Sequence, residues 1–336
     1  MQKKDIIVIG ASAGSIEPLR MLAGGLPKDF HASIFVVLHT SPQGPGILAE
    51  ILDRAGPLPA VYAIDKEHIQ RGRIYVAPPD YHMLVESESV RLSRGPKENM
   101  FRPAVDPLFR SAAQVYGPRV IGVILSGGLD DGTSGLWAIK QLGGTTVVQD
   151  PKEASNPSMP ENAMRYVKVD HCIPASEIAP LLVRLAETPA GEGVYKVSEE
   201  MEIEIRVAKE DNSVESGIEQ LGQPSSYTCP ECHGALLQLA EGDRVRFRCH
   251  TGHAYSADSL LAALTEWIED SLWNSIRSIE ESVRLLNHMA DHLHVMNNER
   301  ESEQLLKKAQ EAQRQADLVR QAVFINGKAK TDEGAA

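Results

Sequence analysis

Ser12 stands in Gly10-Ala-Ser-Ala-Gly14, with small residues on either side. Small residues permit a tight turn from strand to helix. A serine in such a turn lies beside the free N–H groups of a helix N-terminus, where an oxyanion can be held. The same loop also reads as a phosphate-binding loop or a plain turn, although its glycines do not fit G-x-G-x-x-G. His39 closes a second apolar run, and Asp131, in Asp130-Asp131-Gly132, lies a few residues beyond a third. A lone histidine is most often a core or loop residue, and an aspartate at that place serves as a helix N-cap. Position sets the three apart, because each falls at the carboxyl end of an expected strand of one sheet. A Ser-His-Asp set is recognised by geometry rather than chain order, and the order here differs from those of the hydrolase folds with known triads.

A second group is Cys229-Pro-Glu-Cys232, followed by Cys249-His250-Thr-Gly-His253. Two ligand pairs separated by a loop suit a tetrahedral structural zinc ion. The expected ligands are Cys229, Cys232, Cys249 and His253, with His250 competing for the fourth place. Unliganded thiols are the alternative. A redox pair is the other, but this Cys-x-x-Cys does not open a helix in a βαβ unit. Cys172 reads as a small buried residue. His288, His292 and His294 read as a polar helix face, since no cysteine lies nearby.

The elements that must carry these groups alternate along residues 5–187. Apolar runs at 6–9, 33–38, 74–77, 120–125 and 145–148 predict strands. Residues 82–85 and 90–92 predict a hairpin. Amphipathic stretches at 16–22, 47–52, 108–115, 136–142 and 178–185 predict helices. Near-continuous apolar strands between helices predict an α/β fold, a doubly wound and mostly parallel sheet covered on both faces. Such sheets bind ligands at the carboxyl ends of their strands, near a switch in strand order.

Several segments, taken in order, resemble the catalytic domain of the chemotaxis protein-glutamate methylesterases, the CheB family. They are Ile9-Gly-Ala-Ser-Ala-Gly14, the strand ending in His39, Tyr75-Val-Ala-Pro-Pro-Asp-Tyr-His-Met83, Arg102-Pro-Ala-Val-Asp-Pro-Leu-Phe109, Gly122 to Gly132, and Ser158-Met-Pro-Glu-Asn-Ala163. The resemblance implies Ser12 as nucleophile, His39 as general base and Asp131 as the acid that orients it. It implies hydrolysis of glutamate γ-methyl esters on chemoreceptors, with deamidation of receptor glutamines in some members and no catalytic cofactor. Ser15 stands where the family has glycine and Gly128 where it often has methionine, both beside the expected oxyanion site. A scaffold that keeps the fold without the catalysis is the alternative reading. The segment Phe247 to Ser256 also resembles one that follows some of these domains.

Composition bounds the rest. The chain has 336 residues and a net charge of -12, which disfavours a duplex nucleic-acid binder. No apolar run spans a bilayer, and clustered rather than paired cysteines point to the reducing cytoplasm. The expected divisions are a catalytic domain at 1–190 and an acidic linker at 191–226, with an edge strand conceivable at 201–207. A zinc-ribbon-like module at 227–255, a helical hairpin at 256–326 and a disordered tail at 327–336 complete the chain. With the first strand beginning at Asp5, no N-terminal receiver domain is expected. The hairpin rests on apolar stripes from Leu261 to Leu293 and from Leu305 to Val323, at helical and heptad spacing. Those stripes suggest self-association or partner binding through the tail.

Overall fold

The computed structural model describes residues 2–193, 195–209 and 217–332, with side chains described as far as residue 323. The chain divides into two compact units, residues 1–260 and 261–336.

In the first unit, strands β1 (Ile6–Ala11), β2 (Ser33–Leu38), β3 (Ala60–Tyr62), β4 (Arg73–Val76), β7 (Val120–Ile124), β8 (Thr145–Gln149) and β9 (His171–Ile173) form one sheet. Its order is β3-β4-β2-β1-β7-β8-β9, and every pair in it is parallel. Strands β5 (His82–Val85) and β6 (Val90–Ser93) form a separate antiparallel hairpin. The chain lays β2, β3 and β4 on one side of β1, then crosses to start β7 on the other. The switch in strand order therefore lies between β1 and β7, where such sheets open a crevice.

Burial explains the strand sequences. On β1, Ile6 and Val8 face one core, while Ile7, Ile9 and Ala11 face a second. Helices α1 (Ile16–Gly25), α2 (Leu48–Ala55) and α6 (Ala175–Ala186) cover the second core. Helices α3 (Val105–Tyr116), α4 (Thr133–Gln141), α5 (Ser158–Tyr166) and the hairpin cover the first. A strand buried on both faces must be apolar at every position, so period-two alternation is lost.

Two expectations fail here. Cys172 is exposed; it lies on β9, the last strand of the sheet among the described residues. The stretch at 201–207 is no edge strand but part of helix α7 (Glu199–Lys209). Its alternation has a different origin. Met201, Ile205 and Ala208 enter the sheet's core, whereas Ile203 and Val207 join Ile218, Leu221 and Leu239 in a separate cluster. Each set recurs at i, i+4, and two opposite buried stripes on one helix mimic a period of two. Residues 210–216 of the expected linker lie outside the described residues.

Beyond α7, strands β10 (Gln223–Thr228), β11 (Ala235–Glu241), β12 (Arg244–Cys249) and β13 (Ala254–Ser256) make a four-stranded antiparallel sheet. This small module packs within the first unit and carries the cysteines. The first turn of α8 (Ala257–Val295) follows it.

The second unit contains the rest of α8 and α9 (Glu299–Asp332), which turn back on each other around Asn297. Ala309, Ala316 and Val323 are buried in the seam with Ile276 and Ala290. Arg320 pairs with Glu280, and Ser302 Oγ donates to the Ala290 carbonyl across the hairpin. Helix α9 runs to Asp332, past the expected start of a tail at 327; residues 333–336 lie outside the described residues.

Candidate functional site

Three loops at the carboxyl ends of β1, β2 and β7 meet at the switch point. Ser12 follows β1 directly, and its N–H donates to the Ser126 carbonyl at 3.0 Å. Ser15 at the N-cap position of α1 also donates its hydroxyl to that carbonyl, at 2.5 Å. Ser126 returns a hydroxyl bond to the Ala13 carbonyl at 2.8 Å. The serine loop is thus stitched to the loop after β7. Gly14 takes φ +81, and a Cβ there would fall 2.5 Å from the Ser155 Cβ. Serine at position 15 closes the loop rather than obstructing it. At Gly128, a Cβ would approach Asn156 Nδ2 to 3.3 Å.

His39 leaves β2 with its ring between the other two groups. Its Nδ1 lies 3.1 Å from Ser12 Oγ, and its Nε2 lies 2.7 Å from Asp131 Oδ2. The side chains of His39 and Asp131 are 2% and 1% exposed, so water competes little for this contact. Burial alone would raise the Asp131 pKa. The bond and charge of His39, together with the Val105 N–H and the Asn99 amide, outweigh it and hold the carboxyl at about 2. An ionised carboxylate only accepts. Nε2 therefore carries the proton, and Nδ1 is left as the acceptor facing the serine hydroxyl.

Other groups fix this pair, and sequence reasoning missed them. Val105 N–H donates to Asp131 Oδ2 at 2.6 Å, and Asn99 Nδ2 donates to Oδ1 at 2.9 Å. The Phe101 ring stacks on His39 with centroids 3.8 Å apart and planes 5° from parallel. Asp106 is pushed up to about 8, by burial first and by the Asp131 charge second. The two neighbouring carboxyls are thus pushed in opposite directions, Asp131 down and Asp106 up. No local pattern marks Asn99 or Phe101, which read as members of an ordinary turn.

The Cys/His set forms a separate cluster. Ligand atoms of Cys229, Cys232, Cys249 and His253 all lie within 4.8 Å of one another. Cys232 and Cys249 sulfurs are 3.6 Å apart, and His253 Nδ1 is 3.7 Å from Cys229 and 3.5 Å from Cys249. The edges of a tetrahedron around zinc, with ordinary bond lengths, run to about 3.5–3.8 Å. The spacing therefore fits a four-coordinate metal. The knuckle loops are built for it: His233 N–H bonds the Cys229 carbonyl, and Gly252 N–H, at φ +102, bonds that of Cys249. Cys249 is lowered to about 2, by Cys229 first and then by His253, while Cys229 is pushed up by Cys249 and by burial. His250 is exposed and outside the cluster. The exposed His288, His292 and His294 form no metal group among the described residues.

A doubly wound parallel sheet with a serine, histidine and aspartate in relay at its switch point is the arrangement of a serine hydrolase. A model of the family described as CheB methylesterase matches residues 7–182. The chain belongs to the CheB methylesterase family. It is 40% identical over 182 residues to a putative protein-glutamate methylesterase/protein-glutamine glutaminase of Leptospira interrogans, covering 54% of this chain and 94% of that protein. A protein-glutamate methylesterase/protein-glutamine glutaminase of Methanosarcina mazei is 33% identical over 190 residues, and the match spans 52% of it. The crystal structure of the Thermotoga maritima CheB methylesterase catalytic domain superposes with a TM-score of 0.52 at 36% identity, covering 54% of this chain and 98% of that domain. Residues beyond 182 lie outside the family match.

Proposed function

We propose that this protein hydrolyses γ-methyl esters of glutamate side chains on chemoreceptors, releases methanol, and deamidates receptor glutamines at the same site. The observation that carries this reading is the Ser12–His39–Asp131 relay, with contacts of 3.1 and 2.7 Å. Ser12 Oγ attacks the ester carbonyl as its proton passes to His39 Nδ1. Asp131 stabilises the imidazolium through Nε2–H. The Ser12 and Ser15 N–H groups are engaged, by the Ser126 and Ser12 carbonyls. The exposed backbone around Ala13 and Gly14 is therefore left to receive the oxyanion. His39 returns the proton to the departing methoxide, and water then resolves the acyl-enzyme by the reverse proton path.

The Cys/His cluster is assigned to a structural zinc held by Cys229, Cys232, Cys249 and His253, apart from the chemistry. The clustered free cysteines support a reducing, cytoplasmic setting. No described helix is long and apolar enough to cross a membrane. The exposed Leu261, Trp267, Ile268 and Trp273 support association through the helical tail.

The test is methanol release from a methylated receptor helix. The parent should release methanol and Ser12→Ala should not. An inactive parent, with a known methylesterase active in the same assay, would overturn the reading in favour of a scaffold.

A further inference from the structure

The turn at residues 98–101 touches two members of the triad and is gripped from behind by the Cys/His module. Phe101 N–H donates to the Glu98 carbonyl at 2.9 Å. Asn99 and Met100 take φ of +50 and +75, the conformation of a type I′ turn. Asparagine tolerates that conformation, which alone could account for its presence. Its side chain does more. Nδ2 donates to Asp131 Oδ1 at 2.9 Å and to Asp106 Oδ2 at 3.0 Å. Oδ1 accepts from Ser256 N–H and from Ser259 Oγ, each at 3.0 Å. A carboxamide offers two donors and two lone pairs, so all four are used.

A flip of this amide would turn its oxygen toward two carboxyl groups and its NH2 toward two donors. Ser256 and Ser259 prevent it. They form a reciprocal cap at the start of α8, with Ser256 N–H donating to Ser259 Oγ at 2.8 Å and Ser259 N–H to Ser256 Oγ at 3.0 Å. Ser256 Oγ also donates to Asp130 Oδ1 at 2.6 Å. The turn is held further by Asn99 N–H on the Ala254 carbonyl at 2.8 Å and by Arg248 on Glu98 at 3.0 Å. Ala254 directly follows His253, and Arg248 directly precedes Cys249.

We propose that Asn99 is a positioning residue for the triad, and that the Cys/His module fixes the face its amide turns to Asp131 through Ser256 and Ser259. This rests on the reading of Ser12, His39 and Asp131 as the working triad. The module then does more than decorate the catalytic domain, because it completes the environment of the acid that orients the base.

The test uses the full chain, with Asn99→Gly, Ser259→Ala and the double variant. Glycine keeps the turn's backbone and removes only the amide. Asn99→Gly should lower kcat by about 10- to 100-fold with KM little changed, as expected when a base is misaligned. Ser259→Ala should lower it less, and the double variant should be no worse than Asn99→Gly, since both act through one contact. A lost helix cap alone would instead add its effect in either background. The second readout needs no activity: the low-field proton resonance of His39 Nε2–H, assigned by its loss in His39→Ala. It should shift or broaden in Asn99→Gly and Ser259→Ala. Unchanged kcat and an unchanged resonance in Asn99→Gly would overturn the proposal, as would additive effects in the double variant. If the parent proved to be no esterase, the resonance would still decide the positioning role.

Discussion

Replacing Glu204 with glutamine should be among the most destabilising polar changes in the molecule. Glu204 lies on α7, 5% exposed, within a cluster of three buried arginines and one other buried glutamate, Glu98. It accepts from Arg246 at 2.8 Å and from Arg248 at 2.8 Å, with Arg110 at 3.8 Å. Glu98 takes Arg110 at 2.5 Å and Arg248 at 3.0 Å. Removing the Glu204 charge leaves Arg110 and Arg248 sharing Glu98, with Arg246 on the partly exposed Glu241. Stripping a partner from a buried ion cluster costs about 3–5 kcal/mol, or a fall of about 6–20 °C in melting temperature for a unit of this size. Arg248→Met should cost less, because Arg110 with Glu98 and Arg246 with Glu204 remain as balanced pairs. Burial would raise the Glu204 pKa, but the three arginines hold it well below the usual carboxylate range. The stability it confers is therefore present above the unfolded value near 4.5 and lost as pH falls below it. Calorimetric melting of parent and variant across acid and neutral pH measures both effects. A Glu204→Gln melting point within about 2 °C of the parent at neutral pH, less than 1 kcal/mol by the same scale, would refute the assignment of this cluster as a structural bond between α7, α3 and the module.

Two further outcomes are expected. Asp106 holds its proton to about 8 in the folded chain, against an ordinary 3.8, so the unfolded chain releases that proton first and stability should decline as pH rises between those values. Asp131, depressed to about 2, contributes the opposite way and loses its stabilisation only as pH falls from 3.8 toward 2. Melting curves of Asp106→Asn should show a shallower decline toward alkaline pH than the parent; equal slopes would mean that Asp106 is ionised when folded. Metal analysis of protein purified from zinc-containing medium should find bound zinc, which Cys249→Ser loses together with thermal stability. A metal-free parent would remove the structural ion from the account.

Much of the catalytic half was legible in the residues. A strand buried on both faces has to be apolar throughout, so runs such as Ile6-Ile7-Val8-Ile9 and Val120-Ile-Gly-Val-Ile-Leu125 announced a covered parallel sheet. The groups following those runs, Ser12, His39 and Asp131, had to share its carboxyl edge. The Cys/His spacing likewise marked out four groups that the fold gathers within 4.8 Å, because each pair sits on one short loop. Shorter elements escaped. Strands β3 and β9 have three residues each, too few for a period to register. Helix α7 looked like an acidic linker because both its stripes and Glu204 are buried by partners distant in sequence. Only the tertiary structure decided that Cys172 is exposed, that His253 rather than His250 joins the cysteines, and which ring nitrogen of His39 faces Ser12. The same holds for Asn99, whose four side-chain hydrogen bonds join residues 106, 131, 256 and 259. Local sequence encodes periodicity and turn chemistry, whereas the pairing of buried polar groups depends on which distant segments the folded backbone brings within hydrogen-bonding reach.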